Sequence, residues 1–110
     1  MITWLLGLGL AGMLHLDLDC ARPAAARDLI GRARLSEIES AEDVNRVAMW
    51  EAFGRCPAGP GAEACRDEER RRFGEEMDDR KAAIETKYRL ILKDFVDRCR
   101  ASVVRLGPPV

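Results

Sequence analysis

Four cysteines, Cys20, Cys56, Cys65 and Cys99, constrain this chain more tightly than any other feature of its sequence. Four thiols allow three pairings. In an antiparallel pair of helices, residues side by side have position numbers that add to a nearly constant total, because both helices rise at the same rate. Cys56 and Cys65 flank Pro57-Ala58-Gly59-Pro60-Gly61, a clear turn, and Cys20 with Cys99 adds to nearly the same total. Both pairs therefore fit one helical hairpin, stapled near its turn and near its open end. The short loop contributes on the order of 3 kcal/mol in the chain-entropy picture, and the long one more.

The spacing disfavours other uses of these thiols. Structural zinc takes close pairs such as C-x-x-C, whereas Cys56 and Cys65 are too far apart and Cys20 and Cys99 stand alone. His15 is the one histidine, beside an apolar run. No C-x-x-C redox motif is present. No metal and no cofactor is expected.

The apolar pattern predicts two helices and an all-α fold. Pro23 suits a first helical turn, and Ala24 to Arg34 is rich in helix formers. Gly31 weakens this stretch. Ser36-x-x-Glu39 and Ser40-x-x-Asp43 resemble capping boxes, so a break near residues 31–40 is an alternative to one continuous helix. The pattern then runs to Phe53, with Gly54 placed to close the helix in a left-handed conformation. A second helix is expected from about Ala62 to about Arg105. Phe73, Met77, Ile84, Tyr88, Ile91, Phe95 and Cys99 fall on one of its faces, widened by Leu92, Val96 and Val103, with Glu75, Asp79, Glu85, Arg89, Lys93 and Arg100 opposite. Gly107-Pro108-Pro109 ends it. The cysteine register places Val44 opposite Met77, Val47 near Phe73, Ile38 near Ile84, Ala33 at Tyr88, Ile30 at Ile91 and Ala26 at Phe95. This gives three segments: an apolar segment 1–19, a stapled hairpin 20–106 and a disordered tail 107–110.

Met1 to Leu14 is almost wholly apolar. It has the length of a signal-peptide hydrophobic region and falls short of the ~20 residues that cross a bilayer. No Lys or Arg precedes it, and Asp17 and Asp19 follow it. A cut after Ala26 would discard Cys20 and orphan Cys99, so either an intact N-terminus or a cut before Cys20 is expected. Arg22, Arg27, Arg32 and Arg34 follow the apolar run, and the positive-inside tendency would place the body in the cytoplasm. An even set of cysteines argues for oxidising surroundings, and it outweighs that tendency. Gly7-Leu8-Gly9-Leu10-Ala11-Gly12 fits G-x-G-x-x-G, but lacks the strands a dinucleotide fold requires.

Function is less legible. With 110 residues and a net charge of −1, the whole chain generates no long-range field to recruit nucleic acid or an anionic membrane. A two-helix hairpin has little cleft in which to shift a carboxylate pKa, no nucleophile has a readable histidine partner, and no catalytic residue is expected. At 100° per residue, Val44, Val47 and Ala48 group on one side of the first helix, toward Met77 and Phe73. Met49, Trp50 and Phe53 fall mainly on the other side, with Arg46 and Glu42 between. They mark a partner-binding surface, unless the N-terminal segment or a bend near Gly31 folds over them. The expected function is a non-enzymatic, exported or membrane-tethered interaction protein that docks on a protein partner or a second copy, with membrane contact through residues 1–14. The alternative is a small periplasmic ligand-handling protein: a chaperone, an inhibitor or a metal sensor.

Overall fold

The computed structural model describes residue 16 and residues 18–100. The apolar run 1–14, its glycine motif, His15, Val103 and the C-terminal Gly-Pro-Pro lie outside the described residues.

The fold is an all-α helical hairpin of two helices, α1 (Pro23–Gly54) and α2 (Ala62–Arg98), with no strand among the described residues. Before α1, the Asp19 carboxylate accepts the Ala21 N–H at 2.9 Å and the Asp19 carbonyl accepts the Arg22 N–H at 3.0 Å. The chain then enters the helix at Pro23, whose missing N–H costs nothing in a first turn.

α1 is continuous from Pro23 to Gly54. The break anticipated near residues 31–40 does not occur, and Ser36 and Ser40 lie within the helix rather than capping a new one. A single glycine costs an exposed helix about 1 kcal/mol, too little to interrupt a helix held by packing along its length. The end of α1 also differs from expectation. Gly54 is not left-handed; the terminus tightens instead, with Arg55 N–H on the Ala52 carbonyl and Cys56 N–H on the Phe53 carbonyl, both 3.1 Å. The left-handed residue is Gly59, at φ 100°, between Ala58 and Pro60 where the chain reverses. A Cβ there would strain the backbone.

Both expected disulfides are formed. Cys56–Cys65 brackets the turn with a Cα separation of 5.8 Å, and Cys20–Cys99 joins the outer segments at 5.2 Å.

The chain divides into two compact units, residues 34–87 and residues 1–33 with 88–110. In the first, Ala41 and Ala52 of α1 are buried with Phe73, Met77 and Ile84 of α2. In the second, Ala26 and Ile30 are buried with Tyr88, Phe95 and Cys99, and Ala26 and Phe95 are wholly enclosed. In each, alanines of α1 are buried together with large side chains of α2. Each buried large side chain stabilises by about 1.5–3 kcal/mol.

Val44 and Val47 do not pack where the sequence places them. They are 60% and 58% exposed, although Met77 and Phe73 are buried. The space those two side chains need is left by alanines and by Asn45, half-buried, whose side-chain amide donates to the Phe73 carbonyl at 3.2 Å. Ion pairs join the helices in this unit, among them Arg34 with Glu85, Lys81 with Glu42, and Lys87 with Glu37.

Candidate interaction surface

Near its end α1 carries apolar residues at three-residue intervals, the exposed Val44, Val47 and Trp50 followed by the half-buried Phe53. Each step of three turns back about 60° around the helix axis, so they form one oblique ridge rather than an axial stripe. The ridge starts beside the seam, crosses the outward face at Trp50 and descends to the other flank at Phe53. Trp50 is 62% exposed. A side chain of this size is seldom left in water without a use, because it dominates whatever interface it joins.

The ridge has internal order. The Trp50 and Phe53 rings meet edge to face, with centroids 5.3 Å apart at 83°. The Arg70 guanidinium of α2 lies 5.1 Å from the Phe53 ring centre and bonds Asp67 at 2.6 Å. Phe53 is thus half-buried under a cation and fixed against Trp50. Met49, the third residue marked by the sequence, is half-buried on the flank away from Val47. The structure therefore joins Trp50 and Phe53, sets Met49 to one side, and adds Val44 and Val47. Sequence reasoning missed those two by assigning them to the core.

Beside the ridge, Asp43, Val44, Val47, Ala48 and Glu51 line a shallow apolar depression with a carboxylate at each end of the set. Asp43 is engaged by Arg46 at 2.9 Å. A groove of about 370 Å³ lies between the helices, floored by Ala41, Val44, Ala83 and Ile84 and edged by Glu37, Arg80 and Lys87.

Charges along the start of α2 are spent within the helix. Arg66 pairs with Glu63, Arg70 with Asp67, Arg71 with Glu68 and Glu75, and Arg72 with Glu69. The Arg66 and Arg71 hydrogen bonds hold the Glu63 and Glu68 carboxyls below their ordinary pKa, and the charges of the same arginines add to this. These are solvated surface pairs and form no cleft. Among the described residues, no three His, Cys, Asp or Glu side chains are gathered so as to hold a metal ion. No helix among them is long and apolar enough to cross a membrane.

The chain matches no protein-family model, no curated protein and no solved structure.

Proposed function

We propose that this protein is a non-enzymatic docking module, a disulfide-stapled hairpin exported or tethered at a membrane, whose α1 ridge binds a protein partner. The observation that carries this reading is the exposed run Val44, Val47, Trp50 with Phe53 locked against Trp50. An indole and a phenyl ring already held edge to face lose little rotamer freedom on binding, which suits them to the centre of an interface. Two disulfides support an oxidising, extracytoplasmic setting, periplasmic or secreted. The Cys20–Cys99 bridge also favours a mature chain that keeps Cys20, since a cut after Ala26 would leave Cys99 without its partner.

Ligand handling remains the second reading, and the groove between α1 and α2 is its best support. The groove is shallow and edged by the Lys87–Glu37 pair, so it offers a small ligand less burial than the ridge offers a protein.

The test compares oxidised full-length wild type with Trp50→Ala/Phe53→Ala by affinity capture from the native source and by sedimentation of the purified chain. A partner, or a second copy, recovered with wild type and lost with the variant at unchanged melting temperature supports the ridge. If the double substitution unfolds the isolated protein, these rings are core and the docking reading fails. Equal recovery with both proteins also rejects it.

A further inference from the structure

We propose that a second copy of this chain docks on the exposed strip of α1 around Val44 and Val47, running antiparallel about a twofold axis, with Arg80 of each copy bonded to Glu51 of the other. This rests on the docking reading of the ridge, whose two valines it uses, and names the partner.

Val44 lies in both hollows of this surface. It floors the groove between the helices together with Ala41, and it lines the shallow depression together with Val47 and Ala48. Ala41, Val44, Ala48 and Glu51 recur at steps of three or four residues, so they share one side of α1, with Val47 beside them. The two hollows therefore form one apolar strip, all of it within residues 34–87. Val44 and Val47 project from it into solvent.

Most charges along the strip are spent. Lys87 holds Glu37, Lys81 holds Glu42 and Arg46 holds Asp43. Arg80 and Glu51 differ: both are exposed, and neither belongs to an ion pair among the described residues. Arg80 edges the groove beside Ser40 and Ala41, which fixes its level along α1. Glu51 edges the depression, ten residues beyond Ala41 and so about 15 Å further along the axis. The strip therefore offers a cation toward one end and a carboxylate toward the other.

A strip of that polarity is complementary to itself once reversed. A twofold axis level with position 46, midway between Ala41 and Glu51, brings Arg80 of each copy to Glu51 of the other, and the symmetry makes the contact twice. The guanidinium fork suits a carboxylate. The same axis sets Val44 level with Ala48 of the other copy, so each valine enters the other's depression. It also sets Glu37 level with Arg55 of the other copy, since the two stand nine residues on either side of position 46. Arg55 too is exposed and outside the ion pairs of the described residues. A parallel arrangement would instead set Arg80 on Arg80 and Glu51 on Glu51. A partner of another sequence would need the matching order of charges by coincidence, whereas this chain already carries it. The contact is isologous, so it closes at two copies.

The experiment uses the oxidised full-length chain and sedimentation equilibrium. Wild type should form a dimer. Glu51→Arg alone and Arg80→Glu alone should each weaken it on the order of 100-fold, because each sets like charges across the axis twice. An equimolar mixture of these two variants should recover the wild-type affinity, since both exchanged contacts in the mixed pair join opposite charges. Glu39→Arg, the same charge change on another side of α1, should leave the dimer unaltered. All three changes fall on exposed side chains, so each variant should keep the fold. A wild type that stays monomeric at millimolar concentration overturns the proposal, as does a mixture that associates no better than either variant alone. A loss with Glu39→Arg equal to that with Glu51→Arg overturns it in favour of a diffuse charge effect. The ridge is judged separately. A monomeric wild type that captures a different protein through Trp50 and Phe53 sinks the second copy and keeps the ridge. A dimer that obeys the charge exchange but ignores Trp50→Ala/Phe53→Ala keeps the second copy and sinks the role of the rings.

Discussion

The Asn45 side-chain amide donates to the Phe73 main-chain carbonyl at 3.2 Å, and this bond marks the line along which α1 faces α2 in residues 34–87. Successive residues of a helix point 100° apart, so Asn45 in the seam forces Val44 toward solvent and brings Ala41, Ala48 and Ala52 round to the large side chains of α2. Asn45→Ala is expected to cost about 1 kcal/mol, measured by urea denaturation with both disulfides intact. No change in midpoint would mean that the bond does not set the rotation of α1.

The pairing of small with large makes this seam intolerant of added volume. Ala41→Leu and Ala52→Leu, at buried positions, are expected to destabilise by about 1–3 kcal/mol each. Val47→Leu, on the exposed ridge, should stay within about 0.5 kcal/mol of wild type. Thermal melts of the three variants decide the matter. Similar melting temperatures for all of them would contradict the seam described here.

The cysteine positions made the axial register of the hairpin legible, and with it the two bridges and the turn. They carry no information on rotation about a helix axis. Val44 and Val47 outrank alanine on any hydropathy scale, so the pattern drew them inward. The overlooked signal lay in volume: Phe73 and Met77 already fill the seam, and Ala41, Ala48 and Ala52 share one side of α1 at spacings of seven and four. Gly54 was a misleading cap signal for a similar reason. The short turn held by Cys56–Cys65 needs its left-handed residue at Gly59, between Ala58 and Pro60. Trp50 and Phe53 could be read from the sequence as lying outside the seam, because they fall well away from it under either rotation.

The two bridges should differ in what they contribute. Cys20–Cys99 closes a separation of 79 residues and Cys56–Cys65 one of 9. In the chain-entropy picture these restrict the unfolded chain by about 4.5 and about 2.5 kcal/mol respectively. Paired Cys→Ser variants, compared by guanidinium denaturation, should therefore rank the outer bridge as the greater loss. The reverse order would show that strain or residual unfolded structure, rather than loop length, governs the effect.

The acidic response follows from Glu63 and Glu68. Both carboxyls titrate below 4.5, held down first by their hydrogen bonds to Arg66 and Arg71. A lowered carboxylate pKa gives stability that is fully present above the unfolded-state value and disappears as pH falls through the folded one. The contribution of these pairs should thus be intact at neutral pH and fade in the range below 4.5. Both groups are exposed, so high salt should return their NMR titration midpoints toward the ordinary glutamate value. Midpoints unaffected by salt would contradict a solvated ion pair.

Arg70 gives a check on the ridge itself. Arg70→Ala removes the cation from the Phe53 ring and is expected to loosen Phe53 and broaden the Trp50 and Phe53 ring signals by NMR. Its cost in stability should stay below about 1 kcal/mol, as for an exposed cation–π contact. Unchanged ring spectra would show that Trp50 alone orders the pair.

The two bridges together turn most of this chain into a covalent ring. Between Cys20 and Cys99, every peptide bond lies on a path that is closed by at least one disulfide. A protease that cuts once in α1, in the turn or in α2 therefore yields two pieces that stay joined until a reductant is present. A first nick therefore leaves the severed helix held at its place, with its ends free to pack again.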